Sequence, residues 1–190
     1  MTAVSQGLST TSYALLGLLA FGGTGSTSLT GYELKQRADR TLRFYWVSPA
    51  MSQVYTELER LSAHGLVSAR VAGPNLRSSK YRITAKGRRV LTQWLEQAPA
   101  ELPVLKHPIA LRLLIGHLVD PERSKVLLRE HLDELDVRRA ELARVRESLH
   151  GRDAVGEPFR YPSLVADWGL EYLDGERAII EKLLLRLDEE

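Results

Sequence analysis

Leucines at positions 15, 16, 18 and 19 of the segment TSYALLGLLAF (residues 11–21) fall too densely to belong to one helical face. A helix with that pattern has to be buried on most sides. GGTGSTS (residues 22–28) ends it as a flexible Gly/Ser/Thr loop. The glycines superficially resemble a phosphate loop, but the Lys-Ser/Thr pair is missing and a helical run precedes them. Thr30-Gly31-Tyr32-Glu33 has the form of a capping box. It predicts a second helix from about Gly31 to Asp39 or Arg40, with Leu34 facing inward and Lys35 on the other side. The aromatic stretch TLRFYWV (residues 41–47) leads to Ser48-Pro49, which predicts a helix with Ser48 as N-cap and proline at its first position. Val54, Leu58 and Leu61 give this third helix a single apolar stripe. His64 near the C-terminal dipole and Gly65 in a left-handed conformation would close it.

Leu66 to Val71 and Lys80 to Thr84 read as strands, joined by a turn at Gly73-Pro74-Asn75. Thr84 can cap a fourth helix, from about Ala85 to Gln97, with Val90, Leu91, Trp94 and Leu95 as its apolar face. The order helix, helix, helix, hairpin, helix is that of a winged helix-turn-helix. Pro99, Pro103 and Pro108 mark a shift in composition, and a domain boundary is placed there. Beyond it the pattern is helical. Leu128, Leu135, Leu142 and Leu149 recur every seven residues, but the alternate seam positions are Leu132, Arg139 and Arg146, which favours an irregular helical arm over an ideal zipper. After a break at residues 151–162, Val165, Trp168, Tyr172, Ile179, Ile180, Leu183, Leu184 and Leu187 stripe a last helix. The expected fold is mainly α with a small β-hairpin. Residues 1–98 would form the winged helix-turn-helix domain, and residues 99–190 an α-helical domain for dimerisation and effector binding.

Charge sharpens this division. The net charge is +2, but residues 1–98 carry 12 Lys and Arg against 5 Asp and Glu, and residues 99–190 carry 14 against 19. Only the first half is suited to a polyanion. The absence of cysteine removes disulfides and thiolate metal sites. The short apolar run near the N-terminus lacks the basic start of a signal peptide and the length of a membrane span, so a cytoplasmic protein is expected.

The third helix commits its apolar stripe to the core and presents Ser52, Gln53, Thr56 and Arg60, with Tyr55 beside them. Gln and Arg can make paired hydrogen bonds to base edges, while hydroxyls and helix-start N–H groups suit phosphates. Singly, each reads equally as a solvated residue. The hairpin shifts the balance: from Arg70 to Arg82 it carries Arg70, Arg77, Lys80 and Arg82, with Ser78 and Ser79 and no acidic residue. Basic residues on an edge hairpin can also serve only to block strand pairing. Beside a polar helix, contact with double-stranded DNA is the stronger reading. The expected DNA-binding set is Lys35, Ser48, Ser52, Gln53, Tyr55, Thr56, Arg60, Arg77, Ser78, Ser79 and Lys80.

The segments YALLGLLA, LTGYELKQ, SPAMSQVYTELERLSAHGLV and SSKYRITAKGRRVLTQWL together resemble the PadR family of bacterial transcriptional regulators. The resemblance covers nearly all of residues 12–97. Its specific part is Tyr55, Leu58, Leu61, Gly65-Leu66-Val67, Tyr81 and Thr84-Ala85-Lys86-Gly87. It implies a homodimeric repressor that places one winged helix on each half of an inverted-repeat operator. Residues 49–64 would be the recognition helix and residues 67–83 the wing. The C-terminal half is similar to the larger PadR subgroup, in which helices form the dimer. Release by a small phenolic or drug-like effector is also implied. The loop at residues 22–28 departs from the family in length and glycine content, and the sequence before residue 10 has no counterpart.

Other chemistry finds little support. The five histidines, His64, His107, His117, His131 and His150, show no metal-binding spacing, so no metal or other cofactor is expected. His131-Leu132-Asp133-Glu134 reads as a solvated charged face. No nucleophile has a visible base, which argues against an enzyme. Trp94, Trp168 and Tyr172 are the candidate contacts for an aromatic effector, with simple interface packing as the competing reading. The alternative function is a winged helix used for protein contact without DNA readout.

Overall fold

A computed structural model describes residues 7–21, 28–70, 79–99, 102–103 and 106–189. The chain divides into two compact units, Met1–Ala100 and Glu101–Glu190. In the first unit the described elements are helix α1 (Thr10–Ala20), strand β1 (Leu29–Thr30), helix α2 (Gly31–Thr41), a 3-10 turn (Leu42–Phe44), helix α3 (Met51–Ala63), strands β2 (Val67–Arg70) and β3 (Lys80–Ile83), and helix α4 (Ala85–Gln97). The second unit holds α5 (Pro108–Leu114), a 3-10 turn (Gly116–Leu118), and the long helices α6 (Pro121–Ser148) and α7 (Arg160–Asp188).

The crowded leucines of α1 form the centre of the first core. Leu15, Leu16 and Leu19 are fully buried, and Leu34 from α2 and Val54, Leu58 and Leu61 from α3 are fully buried with them. The capping box closes as predicted: Glu33 N–H donates to Thr30 Oγ1 at 3.1 Å, and Thr30 N–H donates to Glu33 Oε2 at 2.7 Å. Three differences from the sequence reading matter. A short strand, β1, pairs antiparallel with β3, so the predicted two-stranded ribbon is a three-stranded sheet in the order β1-β3-β2. Two residues of regular strand carry too little alternation to be seen in sequence. Secondly, Ser48 is not the N-cap of α3. Its hydroxyl donates to Asp39 Oδ1 at 2.6 Å and accepts from Lys35 Nζ at 3.3 Å, and the helix starts at Met51 with Ala50 as its cap residue. Thirdly, the polar break at residues 151–162 is shorter than expected, because α7 begins at Arg160 with Pro162 in its first turn, where a missing N–H costs little. The predicted turn at Gly73-Pro74-Asn75 and most of the loop at residues 22–28 lie outside the described residues.

The end of α3 is tied to the start of α4 by the segment Thr84-Ala85-Lys86-Gly87. Gly65 turns the chain out of α3 at φ 68, a conformation that disfavours side chains. The Thr84 hydroxyl donates to Gly65 O at 2.8 Å and lies 3.1 Å from Leu66 O. It also accepts the Gly87 N–H at 3.0 Å and so caps α4. Lys86 Nζ reaches His64 O at 2.8 Å. Gly87 is packed so closely that a Cβ there would fall 2.1 Å from Leu66 O.

In the second unit α6 and α7 run antiparallel. Lys125 pairs with Asp188 at 2.9 Å, Asp136 with Arg177, Arg139 with Asp174 at 2.5 Å, and Arg146 with Asp167 at 2.6 Å. Every step along α6 is matched by an equal step back along α7. This explains the arginines at the heptad seam: each has an aspartate facing it across the pair. Leu128, Leu135 and Leu142 are buried as their spacing predicts, against Ala166, Leu173 and Ile180 of α7 among others on that face. The predicted α7 stripe is only partly right. Val165, Trp168, Tyr172 and Ile179 stand exposed, and the buried line includes Ser163, Ala166 and Gly169. Small residues take the inner face because they let two long helices approach, which a search for large apolar residues passes over.

Gly87→Ala should destabilise the first unit by about 1–3 kcal/mol, because the clashing atom is a backbone oxygen with nowhere to move. Gly17→Ala, at a helical position where nothing lies within 4 Å of the new Cβ, should instead stabilise by up to ~1 kcal/mol. Urea denaturation of the two variants checks both signs.

Candidate nucleic-acid interface

Two surfaces of the first unit carry the residues that the sequence singled out. On α3, Ser52, Gln53, Thr56 and Arg60 are exposed, opposite the buried Val54, Leu58 and Leu61. Gln53 has no side-chain hydrogen bond to any described residue, so both ends of its amide are free to meet a ligand. The Thr56 hydroxyl donates to Ser52 O at 3.0 Å within the helix. Arg60 remains 48% exposed, but its Nη1 lies 3.7 Å from Glu57 Oε1.

Glu57 is the residue that the sequence reading missed. It is buried on the core side of α3 and accepts a hydrogen bond from the Ser12 hydroxyl of α1. The signal was present: Glu57 falls between Val54 and Leu61 on the apolar stripe, where a lone carboxylate requires a partner. Tyr55 is half-buried, and its ring lies against Gly31 at the start of α2, where a Cβ would sit 2.6 Å from Cε1. Its phenol ring therefore helps set α3 against α2.

Lys35 and Ser48 meet through Asp39. Lys35 Nζ donates to Asp39 Oδ1, and the Ser48 hydroxyl donates to the same oxygen. The bonds from Lys35 and Ser48 hold the Asp39 carboxyl below the usual range. The loss of Ser48 as a cap has a direct effect on α3. Its cap residue Ala50 offers no side-chain acceptor, so the first N–H groups of the helix are left without a side-chain cap.

The sheet provides the second surface. Burial alternates along β3, with Tyr81 and Ile83 inward and Lys80 and Arg82 outward. Arg70 of β2 lies directly opposite Lys80, and Ser68 opposite Arg82, so these side chains share the outer face. Among the described residues, Arg70, Lys80 and Arg82 form no ion pair. Glu33 feels the charge of Lys80, but the Thr30 N–H and hydroxyl are the larger causes of its lowered pKa. Ser79 is only 2% exposed, which takes its hydroxyl out of the accessible surface. Arg77 and Ser78 lie outside the described residues.

The aromatic candidates fall in different places. Trp94 of α4 stacks on Tyr13 of α1 at 4.6 Å and 9° within the first unit, where it closes the core. Trp168 and Tyr172 stack on each other along α7 at 5.8 Å and 24°, on the exposed side of the helix.

A three-helix core, a capped return helix and a small antiparallel sheet with a basic outer face make the first unit a winged helix, followed here by a unit of long helices. Residues 23–93 match the transcriptional regulator PadR-like family, and residues 105–188 match the virulence activator alpha C-terminal family. The chain thus joins a domain of the PadR-like family, whose members are transcriptional regulators, to a virulence activator alpha C-terminal domain. It is similar in fold to Bacillus subtilis PadR in complex with operator DNA, with a TM-score of 0.78, 24% identity, and coverage of 93% of this chain and 98% of that one. The same protein in complex with p-coumaric acid gives a TM-score of 0.75 at 24% identity, covering 93% and 98%. A PadR-like regulator from Bacillus cereus gives 0.75 at 22% identity, covering 94% and 98%, and the Vibrio cholerae virulence activator AphA gives 0.70 at 21%, also covering 94% and 98%. At these identities the likeness establishes the fold. No curated protein matches the chain.

Because the Asp39 carboxyl is held low in the folded chain, its contribution to stability is full above its unfolded pKa of about 3.9. That contribution is lost as pH falls through the lower, folded value. Asp39→Asn should therefore reduce stability modestly near neutral pH, and the difference between the two proteins should shrink as pH falls below about 3.9. Thermal melts of the two proteins across this range give the comparison.

Proposed function

We propose that the protein is a sequence-specific DNA-binding transcriptional regulator that acts as a homodimeric repressor on an inverted-repeat operator. The observation that carries this reading is the pairing of Arg70 with Lys80 on the outer face of the sheet, beside Arg82. Like charges directly opposite one another destabilise a sheet, and among the described residues neither forms an ion pair, the charge of Glu33 acting on Lys80 only without contact. A phosphate backbone would relieve them. The uncapped N–H groups of α3 are suited to the same partner, and Ser52, Gln53, Thr56 and Arg60 stand on the accessible face of that helix. Lys35, through its link to Ser48 and Asp39, is placed to support a contact at the start of α3. Tyr55 supports the reading by positioning α3 rather than by reaching bases.

Support for dimerisation comes from the second unit. Leu164, Val165, Trp168, Tyr172 and Ile179 are exposed along one helix, a stripe that a single chain leaves in water. Two copies joined there would present two recognition helices to successive major grooves, roughly 34–36 Å apart or a multiple of it. The stacked Trp168 and Tyr172 are the better candidates for a flat aromatic effector, since Trp94 has its ring committed to Tyr13. Bacillus subtilis PadR, which binds operator DNA and p-coumaric acid, supports both partner classes by its shared fold.

Selection of bound sequences from random DNA should enrich an inverted repeat. Lys80→Ala should weaken binding to all sequences about equally and flatten the log–log salt slope by about 0.9 for each phosphate left unneutralised. Gln53→Ala should instead change the preferred sequence. A helix used only for protein contact would give no enrichment and no salt dependence.

A further inference from the structure

Three residues far apart in sequence meet inside the second unit. His107 precedes α5, His131 lies on α6 and Glu176 on α7. His107 Nε2 is 2.6 Å from Glu176 Oε1, and His131 Nε2 is 3.4 Å from the same oxygen. The two imidazoles meet edge to face at 5.7 Å. All three side chains are largely shielded, with exposures of 17%, 17% and 12% for His107, His131 and Glu176. The one nitrogen or oxygen that each offers lies within 4.8 Å of the others.

We propose that His107, His131 and Glu176 form a binding site for a first-row divalent metal ion of the zinc class. Two imidazole nitrogens and one carboxylate oxygen are the donor set of open, three-ligand zinc centres, in which water fills the fourth position. Bonds of ~2.0–2.2 Å in a tetrahedron place ligand atoms roughly 3.3–3.5 Å apart. The spacings here reach that with small side-chain rotations. With no cysteine in the chain, the donors favour zinc, cobalt or nickel over softer ions. The site also has outer support. His131 Nδ1 lies 4.0 Å from Glu134 Oε2, so a rotation of that exposed carboxylate would bring it into hydrogen-bond range and leave Nε2 for the ion. An open depression of about 460 Å³ borders His131, lined also by Asp133, Glu134, Val137, Arg138 and Glu141.

One feature opposes the ion. His107 Nδ1 accepts the Ala110 N–H at 3.2 Å as the cap of α5, which leaves the ring proton on Nε2, pointing at Glu176. Ligation through Nε2 moves that proton to Nδ1 and gives up the cap bond. A single long cap bond is small beside the ligation of a divalent ion. In the metal-free chain the same geometry gives a hydrogen bond from His107 to Glu176, and that bond keeps the three residues together.

The test uses the full-length protein stripped with a chelator, with Zn2+ and Co2+ as probes. Calorimetry should give one Zn2+ per chain, and Co2+ should develop the intense visible bands of a four- or five-coordinate ion. His131→Ala and Glu176→Gln should each weaken Zn2+ binding by at least about tenfold. His117→Ala and His150→Ala should leave it unchanged, with circular dichroism confirming the fold of each variant. The proposal is overturned by an absence of saturable binding, by affinity indifferent to His131→Ala and Glu176→Gln, or by only the weak bands of six-coordinate cobalt. The wild-type cobalt spectrum decides the matter even if a variant fails to fold.

Discussion

The hydroxyl of Thr84 sits where three pieces of backbone converge, and the first unit is organised around what it bonds. It accepts from Gly87 at the start of α4 and donates to the turn that leaves α3. Lys86 adds a bond to His64 O, so the helix that follows the wing holds the turn leaving α3, whose own last carbonyls, Arg60 O, Leu61 O and Ser62 O, accept from the backbone of residues 64–66. The absent side chain of Gly87 lets Leu66 O approach closely enough for these bonds to form. The base of the sheet, the end of α3 and the start of α4 are fixed in one place. The exposed residues of α3 inherit their position from this junction, although none of them touches it. A four-residue signature that offers nothing to a ligand is therefore a condition for presenting the residues that do.

The surfaces built on this frame share one property: their internal hydrogen bonding and charge balance are incomplete. Arg70 and Lys80 face each other, α3 begins without a side-chain cap, and Gln53 has no described side-chain partner. The same helix is satisfied on its other side, where buried Glu57 is bonded by Ser12 and flanked by Arg60. Unmet polar groups on one side and a satisfied carboxylate on the other give α3 two chemically different faces.

Much of this was legible in the sequence, for identifiable reasons. The capping box at Thr30 and Glu33, the close of α3 at Gly65 and the cap of α4 at Thr84 are local, and local rules found them. Ser48 misled because it satisfies the same rule: serine before proline is a good helix start. Asp39, nine residues earlier, competes for its hydroxyl, and only the fold brings that carboxylate near. Pairing of Leu29 and Thr30 with β3 depends on a strand fifty residues away. The convergence of His107, His131 and Glu176 escaped for a related reason. Motif spacing finds ligands on one helix, whereas these three come from separate segments. On α7, size was a poor guide to burial. Ser163, Ala166 and Gly169 belong to the inner face, and the large aromatic residues look outward.

The ladder between α6 and α7 has one rung of reversed polarity. Lys125, Arg139 and Arg146 place their positive ends on α6, but Asp136 and Arg177 exchange roles. Sliding α7 by one heptad in either direction would set Asp136 opposite a leucine, Leu170 or Leu184. In one of those directions Arg146 would also meet Arg160. The reversed rung thus acts as a key that fits only one alignment. Descendants of this sequence can lengthen or shorten the connection between residues 149 and 159 more readily than the helices, because it holds none of the four rungs, only Asp153, which ties Arg146 and Ser163 at its base. An insertion inside either helix would throw the rungs beyond it out of step, so length variation in this hairpin should collect at its turn.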